Sequence, residues 1–98
     1  MIQHNFSDGL YAKRIALKAG QRVTKHTHTY SHLSIVADGC VDVVAGGSVS
    51  RFTAGDCIEI TANVEHEVVA VSDAVWYCIH ATNETDESRI DRVLVEKS

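Results

Sequence analysis

Ninety-eight residues, 45% of them hydrophobic and carrying a net charge of −4, suit one small globular domain over residues 1–98 rather than a disordered segment. No basic stripe accompanies the acidic balance, which argues against nucleic acid as a partner. No apolar run approaches the roughly 20 residues of a membrane span.

Met1 to Leu10 is polar and lacks the apolar core of a signal peptide, so a cytoplasmic location is expected. His4 in this stretch reads as solvated. From there the chain alternates short β-branched runs with polar punctuation. Strands are expected over Tyr11–Lys18, Val23–His28, His32–Ala37, Val41–Ala45, Val49–Thr53, Cys57–Ile60, Glu67–Val71 and Val75–Ile79. Starts spaced about 8 to 12 residues apart point to an all-β barrel or sandwich. Asp38-Gly39, Gly46-Gly47 and Ala54-Gly55-Asp56 mark reversals, the Gly-Gly pair as a tight hairpin. None reads as a phosphate-binding loop, because no helix start follows. Trp76, Tyr77 and Phe52 suit a core or an interface. The tail from Thr82 to Ser88 is polar, with Thr85 or Asp86 able to cap a turn. Beyond it, Ile90, Val93 and Leu94 fit a short helix, while Val93–Val95 would equally serve as a last strand.

Three cysteines, Cys40, Cys57 and Cys78, form no CxxC pair. Their odd number argues against a disulfide framework, and buried thiols acting as small hydrophobes are expected.

The chemistry concentrates in the histidines. Of six, His26, His28 and His32 fall within seven positions, and His66 follows on a separate segment. On a strand, His26 and His28 project from one face. Two imidazoles on one face, joined by others through folding, are what a divalent metal requires. An extended segment would hold His26 and His32 about 20 Å apart, so both can serve one ion only if the chain reverses near Thr29-Tyr30-Ser31. His66 is expected to face them across the interior of a small barrel. His80 lies at even spacing from Trp76 and Cys78 and can share their face. Glu65 and Glu67, flanking His66, should point away from it into solvent. No Ser-His-Asp order, paired catalytic carboxylates or nucleophilic cysteine stands out.

The spacing resembles that of the cupins, and the chain is similar to a small, single-domain, RmlC-like member. Gly20, five residues, His26, Thr27, His28, three residues, His32, six residues and Gly39 follow the first cupin motif, G-x5-H-x-H-x3-E-x6-G, over residues 20–39. Gly55, Thr61, Asn63, His66 and Ala70 follow the spacing of the second, G-x5-P-x-G-x2-H-x3-N, over residues 55–70. Thr61, Asn63 and Ala70 replace the family's proline, glycine and asparagine. Asn63 tolerates the left-handed backbone that glycine supplies there.

The resemblance implies an all-β double-stranded β-helix, a jelly-roll barrel, holding one divalent transition metal. His26, His28 and His66 would be ligands, and His32 stands where the family carries its glutamate. Four imidazoles leave a divalent site at +2 instead of the +1 left by three imidazoles and a carboxylate. Such a site should favour a small anionic or chelating ligand in its open positions. Iron, nickel, zinc, manganese and copper all accept nitrogen ligation. Since the imidazoles must be neutral, binding should weaken as pH falls through the histidine range. A three-histidine site with His32 nearby as an acid or base is the competing arrangement. Fold does not fix activity. A metal-binding cupin without assigned turnover stands beside a dioxygenase-type, lyase or isomerase enzyme acting on a diketone, enol or carboxylate. A homodimer is expected, with Tyr11–Leu17 adding to a partner's sheet.

Overall fold

The structure, a computed structural model, describes residues 1–97, apart from the side chains of residues 24–26 and 96–97. Its strands are β1 (Ile2–Ser7), β2 (Leu10–Leu17), β3 (Arg22–His26), β4 (His32–Asp38), β5 (Cys40–Ala45), β6 (Ser48–Thr53), β7 (Cys57–Ile60), β8 (His66–Ala70) and β9 (Ala74–Ala81), followed by helix α1 (Ile90–Lys97). β1-β2-β9-β4-β7 form one antiparallel sheet and β3-β8-β5-β6 the other. The two face each other as the expected jelly roll.

Strand alternation turns every second residue inward, and the cross-strand registers arrange these residues in layers. The floor holds Ile15, Trp76 and Val36 in adjacent positions of the larger sheet, facing Val41 and Ala70 of the smaller. Trp76, Val36 and Val41 are almost wholly buried. Above it, Cys78 and Ser34 pair in the larger sheet, opposite Val43 and Val68. The top layer carries Tyr11 beside His80, and His32 beside Ile60, in the larger sheet. In the smaller sheet the matching positions are His26, His66 and Ala45. Polarity thus rises along the barrel axis from an apolar floor to an imidazole-rich end.

One irregularity sets that top layer. Val23 pairs with Val68, and strict alternation would then bring residue 25 opposite His66. The register shifts between Val23 and His26, so that His26 pairs with His66. One extra residue in β3, a β-bulge, places a histidine where the unbroken pattern would place Lys25.

Several expectations change here. The polar start of the chain forms β1, paired along its whole length with β2 through a turn at Gly9. Its inward positions, Phe6 and His4, cover Tyr11 and Lys13, an interaction available only once β2 exists. β2 therefore has neighbours on both sides, β1 and β9, and the Tyr11–Leu17 segment offers no free edge to a partner. The strand expected to reach His28 ends at His26, because the chain must cross from one sheet to the other before β4. Cys78 is buried and Cys40 half-buried, but Cys57 is exposed on β7.

The turns follow their residues. Gly46 and Gly47 have φ of 56° and 81°, the pair of positive values a two-residue type I′ hairpin needs, and Ala45 pairs with Ser48 around them. The tail is helical. Asp86 Oδ1 accepts hydrogen bonds from the Ser88 backbone N–H (2.9 Å) and hydroxyl (2.7 Å), ordering the turn before the helix. Ile90 and Leu94, four apart on one face, then bury against Tyr11 with Phe6 at the margin.

Gly39 joins β4 to β5 with φ 77°, and a Cβ there would collide with the Asp73 carbonyl oxygen and come within 2.9 Å of Ala74 Cα. Gly47 also has positive φ, but nothing lies within 4 Å of its Cβ position. Gly39→Ala should lower the unfolding free energy by about 3 kcal/mol or more, since it combines left-handed strain with a backbone clash. Gly47→Ala should cost only about 1 kcal/mol. Urea denaturation of the two variants gives the comparison.

Candidate metal centre

Two loops frame the imidazole-rich end, residues 27–31 between β3 and β4 and residues 61–65 between β7 and β8. They are stitched together by backbone polar groups: Asn63 N–H donates to the His28 carbonyl (2.7 Å), and Ala62 N–H to Ser31 Oγ (2.9 Å). Asn63 adopts φ 64° to make the first bond, the left-handed conformation expected of it. The loop carrying His28 is thus fixed by its neighbour rather than by strand pairing.

His28 projects from this loop, with its ring centroid 5.7 Å from His32 and 5.7 Å from His80. His32 enters from β4 and His66 from β8, both buried, with ring centroids 6.1 Å apart. His26 and His66 are neighbours in the same sheet, so His66 does not face His26 across the interior. His32 is the histidine that comes from the opposite sheet. The His26 side chain lies outside the described residues.

An imidazole nitrogen lies about 1.1 Å from its ring centroid, so two rings bound to one ion at about 2.1 Å have centroids at most about 6.4 Å apart. The His28–His32 and His32–His66 separations both satisfy that limit. The nitrogen chemistry agrees. His32 Nδ1 lies 3.3 Å from the Leu33 carbonyl oxygen, and His66 Nδ1 3.3 Å from that of Val64. A carbonyl only accepts, so each Nδ1 carries the proton and each Nε2 the lone pair, the tautomer that metal-bound imidazoles take when a backbone oxygen orients them. Among the described residues no three His, Cys, Asp or Glu side chains are already drawn around one point. The described imidazoles therefore fit a transition metal in donor type and in pairwise spacing.

His80 adds an imidazole that spacing alone did not single out as a ligand. It is buried, its ring lies 4.4 Å from His32, and its Nδ1 is 3.1 Å from the Tyr30 hydroxyl. Tyr30 stands over the layer from the 27–31 loop, 4.9 Å from the His28 ring. Behind His80 lies Tyr11, whose hydroxyl is 2.6 Å from His4 Nδ1. His4 is consequently half-buried and hydrogen-bonded rather than solvated. The even spacing of Trp76, Cys78 and His80 carried the signal for His80. The partners of His4 and Tyr11 were hidden because β1 was not foreseen.

Two hollows flank the layer. One of about 230 Å³ lies between the sheets beside β6 and β7, walled by Val43, Phe52, Ile58, Ile60 and Val64, with His66 at its edge. Another of about 350 Å³ lies under α1, bordered by His28, His80 and Cys78, with the Lys13–Asp91 ion pair (3.1 Å) across it. Glu67 points outward as expected and pairs with Arg22 at 3.4 Å, while Glu65 is exposed.

A two-sheet antiparallel barrel with histidines collected at one end defines a double-stranded β-helix protein. The cupin domain model matches residues 13–80, and the chain belongs to that family. Solved structures agree on the fold. KdgF from Halomonas sp. superposes with a TM-score of 0.75 at 20% identity, over 87% of this chain and 80% of that one. An RmlC-like cupin from Shewanella frigidimarina gives 0.74 at 25% identity over 89% and 78%. A conserved protein of unknown function from Streptococcus pyogenes gives 0.74 at 16% over 87% and 75%. No curated protein matches the sequence. No helix among the described residues is long and apolar enough to cross a membrane.

Burial raises the pKa of Tyr30 from 10 to about 12, with the nearby Cys78 sulfur adding to it. Burial raises Tyr11 as well, assisted by Asp91. Both phenols stay protonated in the fold where an unfolded chain would ionise them, so the folded state binds more protons. Stability from this source is fully present below pH 10 and is lost as pH climbs through the folded pKa values. Tyrosinate absorbance should accordingly lag a denatured control above pH 10, and Tyr30→Phe should remove the step near pH 12.

Proposed function

We propose that this cupin binds one divalent transition metal at its imidazole-rich end, through His26, His28 and His66 with His32 as the fourth donor, and holds a small anionic ligand beside it. The observation that carries this reading is the pair His32 and His66. They come from opposite sheets, lie within reach of one ion, and are both turned by a backbone carbonyl so that Nε2 bears the lone pair. His28 extends the set from the loop side at 5.7 Å.

With histidine in the place of the family's glutamate, the protein supplies no negative charge to the ion. A dication surrounded only by neutral donors in a low-dielectric pocket strongly favours an incoming anion. The hollow beside His66 supplies room. At about 230 Å³ it falls below the roughly 300–1,000 Å³ of pockets that take drug-sized molecules, which suits a small ligand with an apolar body.

One observation favours turnover over simple binding. The Tyr30–His80 pair stands beside the donor set and supplies a hydrogen-bonded imidazole and phenol that could hold or pass a proton. The second reading is therefore a metal-dependent enzyme acting on a small chelating diketone, enol or carboxylate, of dioxygenase, lyase or isomerase type. A bound metal would supply Lewis acidity to such a substrate, and oxygen activation if it is iron. The chain's own part is to orient the donors, exclude water with the Tyr30 ring and place His80 within the layer.

Protein purified without an affinity tag should contain close to one transition metal ion per chain by elemental analysis. His28→Ala and His66→Ala should each reduce metal retention at least tenfold in a calorimetric titration of metal-free protein, whereas His32→Glu should retain it. Affinity in the unmodified protein should fall as pH drops below about 6.5, as imidazoles take up protons. Wild-type protein that takes up no metal at neutral pH would remove both readings.

A further inference from the structure

The inward side of the larger sheet holds a charged residue that packing does not explain. β2 turns Tyr11, Lys13, Ile15 and Leu17 toward the interior. Among the described residues, Lys13 is the one lysine, arginine or carboxylate residue at an inward position of this sheet. It pairs with Cys78, one inward step from the row of Tyr11 and His80, so about 6.6 Å along the strand separates it from the histidine layer. Its side chain is only 22% exposed, whereas the carboxylate that meets it, Asp91 of α1 at 3.1 Å, is 68% exposed. Withdrawing an ammonium from water is unfavourable unless something compensates it. A pair whose anion lies in solvent compensates weakly. Nor does α1 depend on that tether, since Ile90 and Leu94 already bury against Tyr11.

Lys13 lines the hollow of about 350 Å³ under α1. His28 and His80 border the same hollow, and Ile15, Val23 and Leu94 supply its apolar wall. Among the described residues, Lys13 and Asp91 are the only lysine, arginine or carboxylate residues on its lining. The hollow beside His66 has the opposite character: Glu59 borders it, no described lysine or arginine does, and at about 230 Å³ it is smaller. An anionic group directed away from the metal would be repelled there and attracted under α1.

From this inward lysine and the cavity it shares with two imidazoles, we infer that the hollow under α1 is the subsite for the second carboxylate of a short dicarboxylate ligand. The inference rests on the metal-centre reading and names the ligand class for it. One carboxylate belongs at the metal beside His28 and the other on the Lys13 ammonium. A short methylene chain between them lies against Ile15, Val23 and Leu94. Without ligand, Asp91 occupies the ammonium. An incoming carboxylate takes its place, and Asp91, already largely in water, loses little on release. Lys13 thereby sets specificity from a point removed from the metal.

Succinate and butyrate, matched in length and differing by one carboxylate, test this in calorimetric titrations of zinc-loaded protein, with zinc content measured for every sample. Wild-type protein should bind succinate about tenfold more tightly than butyrate, or better. Lys13→Met should reduce that preference to about twofold or less, while butyrate affinity, zinc content and the circular dichroism spectrum stay unchanged. Lys13→Arg should keep the preference, because the cation remains. Asp91→Asn should tighten succinate several-fold and leave butyrate alone, the opposite direction from Lys13→Met. A lysine that serves only to hold α1 would make the Lys13→Met and Asp91→Asn proteins behave alike, and that result would overturn the inference. Protein that takes up no zinc would remove the metal reading and this inference with it. Full zinc uptake without a preference for succinate would overturn this inference alone.

Discussion

One extra residue in β3 decides which residue of that strand stands in register with His66. Without the bulge, the pairing of Val23 with Val68 would carry Lys25 to the position opposite His66, placing an ammonium group in register with an imidazole. With it, His26 takes that position, and β3 continues into the loop that delivers His28. A one-residue slip in a strand exchanges its two faces. Here the slip is confined to one point, so Val23 stays in the apolar layer while His26 takes the register position beside His66.

Collecting imidazoles between two sheets is unfavourable unless their polar atoms find partners. The structure meets that cost locally at Nδ1 of three of the rings. Backbone carbonyls of Leu33 and Val64 receive His32 and His66, and the Tyr30 hydroxyl receives His80. The same arrangement continues outward, where His4 bonds Tyr11 and Tyr11 is closed over by Phe6, Ile90 and Leu94. β1 and α1 thus seal the flank of the histidine layer, although neither contributes a candidate ligand. Below, Trp76, Val36, Val41 and Val68 are nearly free of solvent and anchor the strands that carry the polar end.

Most strands were legible because period-two alternation and glycine turns are local signals. The Gly46-Gly47 hairpin and the left-handed Asn63 follow from single residues. The spacing of Gly20, His26, His28, His32 and Gly39, matched again around His66, carried the family. What the sequence concealed depended on pairing between distant segments. β1 is polar on its exposed side and becomes a strand by lying along β2. The end of β3 at His26 reflects a crossing between sheets that propensity does not encode. His80 became part of the layer through its neighbour His32 on β4, and its even spacing from Trp76 was only half of that information.

β9 shows why both of its faces must be read together. Its inward residues, Trp76, Cys78 and His80, descend through every layer from the imidazole end to the floor, and its central place gives it β2 and β4 as partners along nearly its whole length. An outward face of Val75, Tyr77 and Ile79 adds nothing to that core. Outside β5 and β8 the corresponding positions are mixed, with Asp42 and Glu67 beside Val44 and Val69. The two patterns occupy alternate positions of one strand, so each can change without moving the other.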